Sequence, residues 1–209
     1  PMGFNGNEHL IEFNEFHHVC MDADDSGAIH QGRDWTWRGN VIRYNFFHHV
    51  GGGPHIGNQG TYLDDMQCGT HVYGNVYYRI HRAHLVGGGR DNTIENNIIV
   101  DCPIPVHIDN RAMGWASYHV DGTMKAGLER VPYKEEPWAS RYPNLVNIWE
   151  DDPAVPKGNV VRNNVMVNCG DMRIVKPARE FGTIENNLSL DEDPGFVAPK
   201  HLDFALKDN

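Results

Sequence analysis

Residues 94–102 read IENNIIVDC and residues 161–169 read VRNNVMVNC. The same frame occurs four more times, as IEFNEFHHV at 11–19, IRYNFFHHV at 42–50, VYGNVYYRI at 72–80 and IENNLSLDE at 184–192. Self-similarity of this kind is the mark of a solenoid, in which each repeat buries its apolar side only against its neighbours. Aligned on Asn14, Asn45, Asn75, Asn97, Asn164 and Asn187, the copies stand 31, 30, 22, 67 and 23 residues apart, so a coil of 22 or 23 residues carries insertions.

An apolar residue stands three places before each asparagine (Ile11, Ile42, Val72, Ile94, Val161, Ile184) and, in most copies, one, three and five places after it. Period two is the period of a strand. It predicts that Ile98, Val100 and Cys102 point inward while Ile99 and Asp101 point out, with Val165, Val167 and Cys169 repeating the pattern. The asparagine itself then marks a bend, since it tolerates left-handed backbone angles. Its amide both donates and accepts, so copies stacked ~4.8 Å apart bond along a column. A further strand per coil follows a variable loop: 28–31, 61–65, 84–87, 106–109 and 173–176. Three strands per turn and an asparagine ladder predict an all-β, right-handed parallel β-helix of about six coils, one unit over 1–209 with a long insertion at 110–158. No long helix is expected, because Gly, Asn and Asp punctuate at the spacing of turns between short strands. Nothing before Asn7 reads as a cap on the upper coil, so the end coils look cut short and the remaining domains of a longer parent chain are an expected partner.

The formal charge of −10 disfavours nucleic acid or an anionic membrane surface as partner and suits a neutral or cationic ligand. No apolar run approaches the ~18 residues of a membrane span. The four cysteines lack CxxC spacing and, three of them ending apolar strands, read as buried thiols rather than disulfides or zinc ligands. His17-His18 and His48-His49 share one register and would stack. By alternation His17 and His48 would point inward, with core hydrogen bonding favoured over a metal site.

Insertions in a solenoid cluster on its binding face. Here they flank the further strand, which becomes a floor, with loops 21–27, 51–60 and 32–39 and the long insertion as walls. Around it gather Asp24, Asp25, His30, Arg33, Trp35, His55, Tyr62, Asp64, Asp65, Arg90, His107, Asp109 and Arg111. Aromatic faces and directional charged groups suit a sugar. Asp24 and Asp25 also fit a turn before Ser26-Gly27, and the aromatics of 110–158 could form a small core of their own. Asp64 beside Asp65 is harder to assign to structure, since adjacent carboxylates repel and lower strand propensity.

NGNEHLIEFNEFHHVC (5–20), DDSGAIHQGRDWTWRGNVIRYNFFHHV (24–50), GGGRDNTIENNIIVDC (87–102) and PVHIDNRAMGWASYHVDG (105–122) resemble the β-helix proteins of the glycoside hydrolase family 141 type, within the pectate-lyase-like superfamily. The resemblance implies α-fucosidase or xylanase activity on plant or host polysaccharide, a secreted or periplasmic protein, and a catalytic aspartate pair. Its members fall at Asp24/Asp25 and at Asp64/Asp65. His30, Arg33, Trp35, His55, Tyr62, Arg90, His107, Asp109 and Arg111 are the expected substrate contacts, and neither cofactor nor metal is expected for hydrolysis. Asp25 and Asp65 are the favoured acid and base or nucleophile. Straight strand would hold them ~20 Å apart, so loop 21–27 must fold back over the floor, and Asp65 with Asp109 is the fallback pair. Two alternatives stay open. One is a Ca²⁺-dependent polysaccharide lyase using Arg33, Arg90 or Arg111, with calcium on the aspartate pairs; the other is a non-catalytic carbohydrate-binding β-helix.

Overall fold

The computed structural model describes residues 1–51 and 57–208. Among them, three sheets of six parallel strands stack in register, which is a parallel β-helix. The floor sheet runs Met2–Gly3, Gly27–Gly32, Gln59–Asp64, Arg82–Val86, Ile104–Ile108 and Arg173–Ile174. The second sheet holds the strands that precede each repeat asparagine and the third those that follow it, from Glu15–His17 to Leu188–Leu190.

The asparagine ladder is present. From Asn14 to Asn187 each side-chain amide donates to the carboxamide oxygen of the next coil at 2.9–3.1 Å. The left-handed position is the residue before each asparagine, not the asparagine: φ is 56° at Phe13, 55° at Tyr44, 65° at Gly74 and 55° at Asn96. The bend therefore lies one residue earlier than the alternation assumes, and the facing of the next strand is reversed. Ile99 and Met166 fill the interior with Phe47 and Tyr77, while Ile98, Val100, Val165 and Val167 face outward. Those outward positions are apolar because a C-terminal hairpin, Phe196–Ala198 with Asp203–Leu206, covers them with Phe196, Leu202 and Phe204. Two further residues past Val100 and Val167, Cys102 and Cys169 do lie at the core, and all four cysteines are free thiols.

His17 and His48 are thereby on the outer side, not in the core. His17 is exposed, and His48 packs on Phe46 and bonds Glu15 at 2.8 Å. The expected stacking holds, with ring centroids 5.1 Å apart for His17 and His48 and 5.4 Å for His18 and His49. No group of three or more His, Cys, Asp or Glu among the described residues is placed to hold a metal ion.

The segment 110–158 leaves the rung and folds into short helical stretches, including Lys125–Glu129, Trp138–Arg141 and Pro143–Val146. Its Ala112, Val120, Met124, Leu128, Leu145 and Ile148 close a second core on Trp35, Met66 and Cys68, which follow the floor strands. The insertion thus stands as a wall at the Asp64 and Asp65 end of the floor. Among the described residues no helix is long and apolar enough to cross a membrane.

Candidate active site

One row of outward floor side chains crosses the coils: His30, Tyr62, Leu85, His107 and Arg173 are register partners in turn. The His30 and Tyr62 rings stack with centroids 4.4 Å apart. Asp25 has φ of 48° just before the strand Gly27–Gly32. That left-handed turn brings loop 21–27 over the floor, and the Asp25 carboxylate accepts a hydrogen bond from the Tyr62 hydroxyl at 2.9 Å. Asp25 and Asp64, from opposite ends of neighbouring floor strands, consequently line one pocket of about 240 Å³. Arg82, Leu85 and His107 complete its floor, and Arg111 and Trp115 bring the insertion to its wall.

Arg111 organises the carboxylates. Its guanidinium bonds Asp64 at 2.6 Å and Asp65 at 2.9 Å through Nη1, and grips Asp109 at 2.8 Å through Nη2 and 3.0 Å through Nε. Asp65 is 1% exposed and also takes Arg33 Nε at 2.5 Å. Burial pushes the Asp64 carboxyl up, but bonds from His30 and the Asp65 backbone, with the Arg111 charge, outweigh it and hold Asp64 at about 2. Asp64 is a carboxylate at any ordinary pH. Burial, then the Asp64 charge, raises Tyr62, so its hydroxyl keeps its proton. Burial, then the Arg82 charge, brings His107 down to about 4, so the imidazole is neutral near pH 7.

The other expected site residues go elsewhere. Trp35 is fully buried under the insertion and cannot stack on a ligand; its position between polar residues in GRDWTWRG disguises a core residue. Arg90 pairs with Asp151 of the insertion, away from this pocket. Asp24 shapes the turn by accepting from the backbone N–H groups of Gly57 and Asp25. His55 lies outside the described residues. Arg82 and Leu85 line the pocket without being expected there, while Trp115 is the aromatic of the insertion wall that reaches it. The only sequence signal for Arg82 is a cation opening the short strand RAHLV, whose other residues lack a formal charge near neutral pH. A larger hollow of about 490 Å³ borders Arg90, Asp91, Asn147 and Lys157. Its charges are spent internally, in Arg90–Asp151, Lys157–Asp151 and Arg38–Asp91 pairs, which leaves less to meet a ligand.

No family model, curated protein or solved structure matches the chain. What is established is the class of protein, a parallel β-helix with a polar pocket on its floor.

Proposed function

We propose that the protein is a glycoside hydrolase acting on a polysaccharide outside the cytoplasm, in a secreted or periplasmic setting, with Asp25 and Asp64 as its working carboxylates. The observation that carries this reading is the convergence of these two side chains from adjacent coils on one pocket beside Tyr62. Asp64 stays ionised and serves as nucleophile or as base toward water, while Asp25, the more exposed of the two, delivers a proton to the leaving oxygen as the glycosidic C–O bond breaks. Water supplies the hydroxyl of the new sugar end and restores the proton to Asp25. Asp65, which also borders the pocket, is a positioning residue: it is buried and its oxygens are committed to Arg33 and Arg111. Asp109, forked by Arg111, is committed in the same way. A calcium-dependent lyase has less support, because the carboxylate oxygens that would bind the cation are held by guanidiniums.

The test is turnover of xylan, fucosylated oligosaccharides and aryl glycosides. Asp64→Asn is expected to lose about 10²–10⁴-fold in kcat on every substrate. Asp25→Asn should lose as much on natural linkages but far less on aryl glycosides with acidic phenol leaving groups, which depart without a proton. Sugar binding that persists with no turnover in the unsubstituted protein would favour the non-catalytic alternative, and an ultraviolet-absorbing unsaturated product the lyase.

A further inference from the structure

Arg82 opens the floor strand Arg82–Val86 and lines the pocket, yet it is only 7% exposed. Its Nε is buried with no hydrogen-bond partner, and its guanidinium makes no ion pair with any described residue. Across the pocket floor, the buried Nδ1 of His107 is likewise unpartnered. Arg173, the register partner of His107 on the next coil, adds an exposed cation that has no acidic partner among the described residues either.

The nearby carboxylates do not answer these groups. Asp109 is gripped by Arg111, Asp64 by Arg111 and His30, and Asp65 by Arg33 and Arg111. The Tyr62 hydroxyl is turned to Asp25. A buried guanidinium without a counter-ion is unfavourable unless a partner arrives with the ligand. Its planar fork matches a two-oxygen anion, and the neutral His107 imidazole, whose Nε2 is the nitrogen left open to the pocket, adds a further donor in its Nε2–H tautomer. Between the Tyr62 ring and His107 the floor is Leu85, an apolar surface for the C–H face of a sugar.

We infer that Arg82, His107 and Arg173, one, two and three coils beyond the strand of Asp64, form an anion subsite, which accepts the charged substituent of an acidic sugar, a carboxylate or a sulfate ester. The inference rests on the carbohydrate reading above for the sugar, but not on hydrolysis. It runs against the overall charge of −10, because the acidic groups at this end of the pocket are already neutralised by pairing.

The test is calorimetric binding to the full chain, which needs no turnover. Trigalacturonate is compared with its methyl ester for the carboxylate, and 6-O-sulfated galactotriose with galactotriose for the sulfate. One of the two charged sugars is expected to bind at least about tenfold tighter than its neutral counterpart, and which one does identifies the substituent. Arg82→Gln should reduce that preference to within about twofold, and Arg82→Lys should keep part of it. Arg173→Gln, at an exposed position that leaves the fold alone, should lower the preference by a smaller factor. The inference is overturned if neither charged sugar is preferred, or if the preference survives both Arg82→Gln and Arg173→Gln. Binding of neutral sugar without an anion preference would leave the carbohydrate reading standing, whereas no sugar binding at all would remove both. Turnover lost in Asp64→Asn with the preference intact would separate the subsite from the chemistry.

Discussion

The asparagine column and the Arg111 cluster are two solutions to one problem, polar groups enclosed by a β-helix, and they differ in how the partners are recruited. In the column one neutral side chain recurs coil after coil. Asn75 accepts from the backbone N–H and the amide of Asn45, and donates to the Ile42 and Tyr73 carbonyls and to Asn97, so each coil completes the last. In the cluster, charged groups from the floor, a loop and the insertion meet once, with a single guanidinium spanning three carboxylates. Repetition produces a polar spine that is satisfied locally. The cluster depends on residues 46 and 47 positions apart arriving together.

The contrast is broken or sharpened first by deletion. Arg111→Gln leaves Asp64, Asp65 and Asp109 without their shared cation and is expected to lower stability by about 4 kcal/mol, the range for stripping one partner from buried ion pairs. Asn75→Ala leaves a buried N–H, two carbonyls and an amide oxygen short of partners, for a loss of about 3 kcal/mol. Urea unfolding of both variants at pH 7 checks the order. An Arg111→Gln protein as stable as the parent would show that the cluster is tolerated for its pocket rather than needed by the fold.

A smaller effect separates two histidines on adjacent coils. His84 pairs with Val106, and Leu85 with His107, so a shift of one residue along the strand turns one imidazole into the core and the other toward the pocket. His84 is fully buried against Tyr77 and Thr61, and burial lowers it to about 3. Its folded-state pKa lies below the unfolded value of about 6.5. The unfolded chain therefore takes up the extra proton first, and stability falls as pH drops from about 6.5 toward 3. Asp64 acts in a lower window: its contribution is intact above about 4 and is lost as pH falls toward about 2. Replacing His84 with Gln should flatten the stability profile between pH 6.5 and 4.5 by about 1 kcal/mol per pH unit, read from urea midpoints. An unchanged slope would mean that other groups carry the acid limb.

The repeat made the fold legible, because the same asparagine in six frames needs only one explanation. Facing was misread, since period two gives alternation but not phase. The phase is set by the left-handed residue before each asparagine, and Phe13 and Tyr44 give no hint of that backbone angle. The site was legible in part. Asp25 reached the floor because Asp-Ser-Gly turn chemistry allows the fold-back, and Asp64 stood out beside Asp65. Trp35 and Arg90 were misplaced because their partners come from the insertion, Arg90 meeting a residue 61 positions away. Arg82 was missed for a different reason: what distinguishes it is a partner it lacks, and only the assembled pocket reveals that.

The spacing of the ladder also bears on the order of assembly. Joining Asn75 to Asn97 closes 22 residues of chain, whereas joining Asn97 to Asn164 closes 67 across the insertion. Closure entropy grows with the logarithm of length, so the longer closure is dearer by about 1 kcal/mol before any contact repays it. Every rung is a non-local pairing, which makes folding slow throughout. The stack is expected to nucleate on the Thr70–Tyr73 and Thr93–Glu95 rungs, extend toward Asn14, and stall at the insertion until its own apolar residues have docked on Trp35 and Met66. Pulse-labelled hydrogen exchange would then protect Val72 and Ile94 before Val161. Simultaneous protection would instead make the insertion an early partner in folding and not the gate through which the last two coils are added.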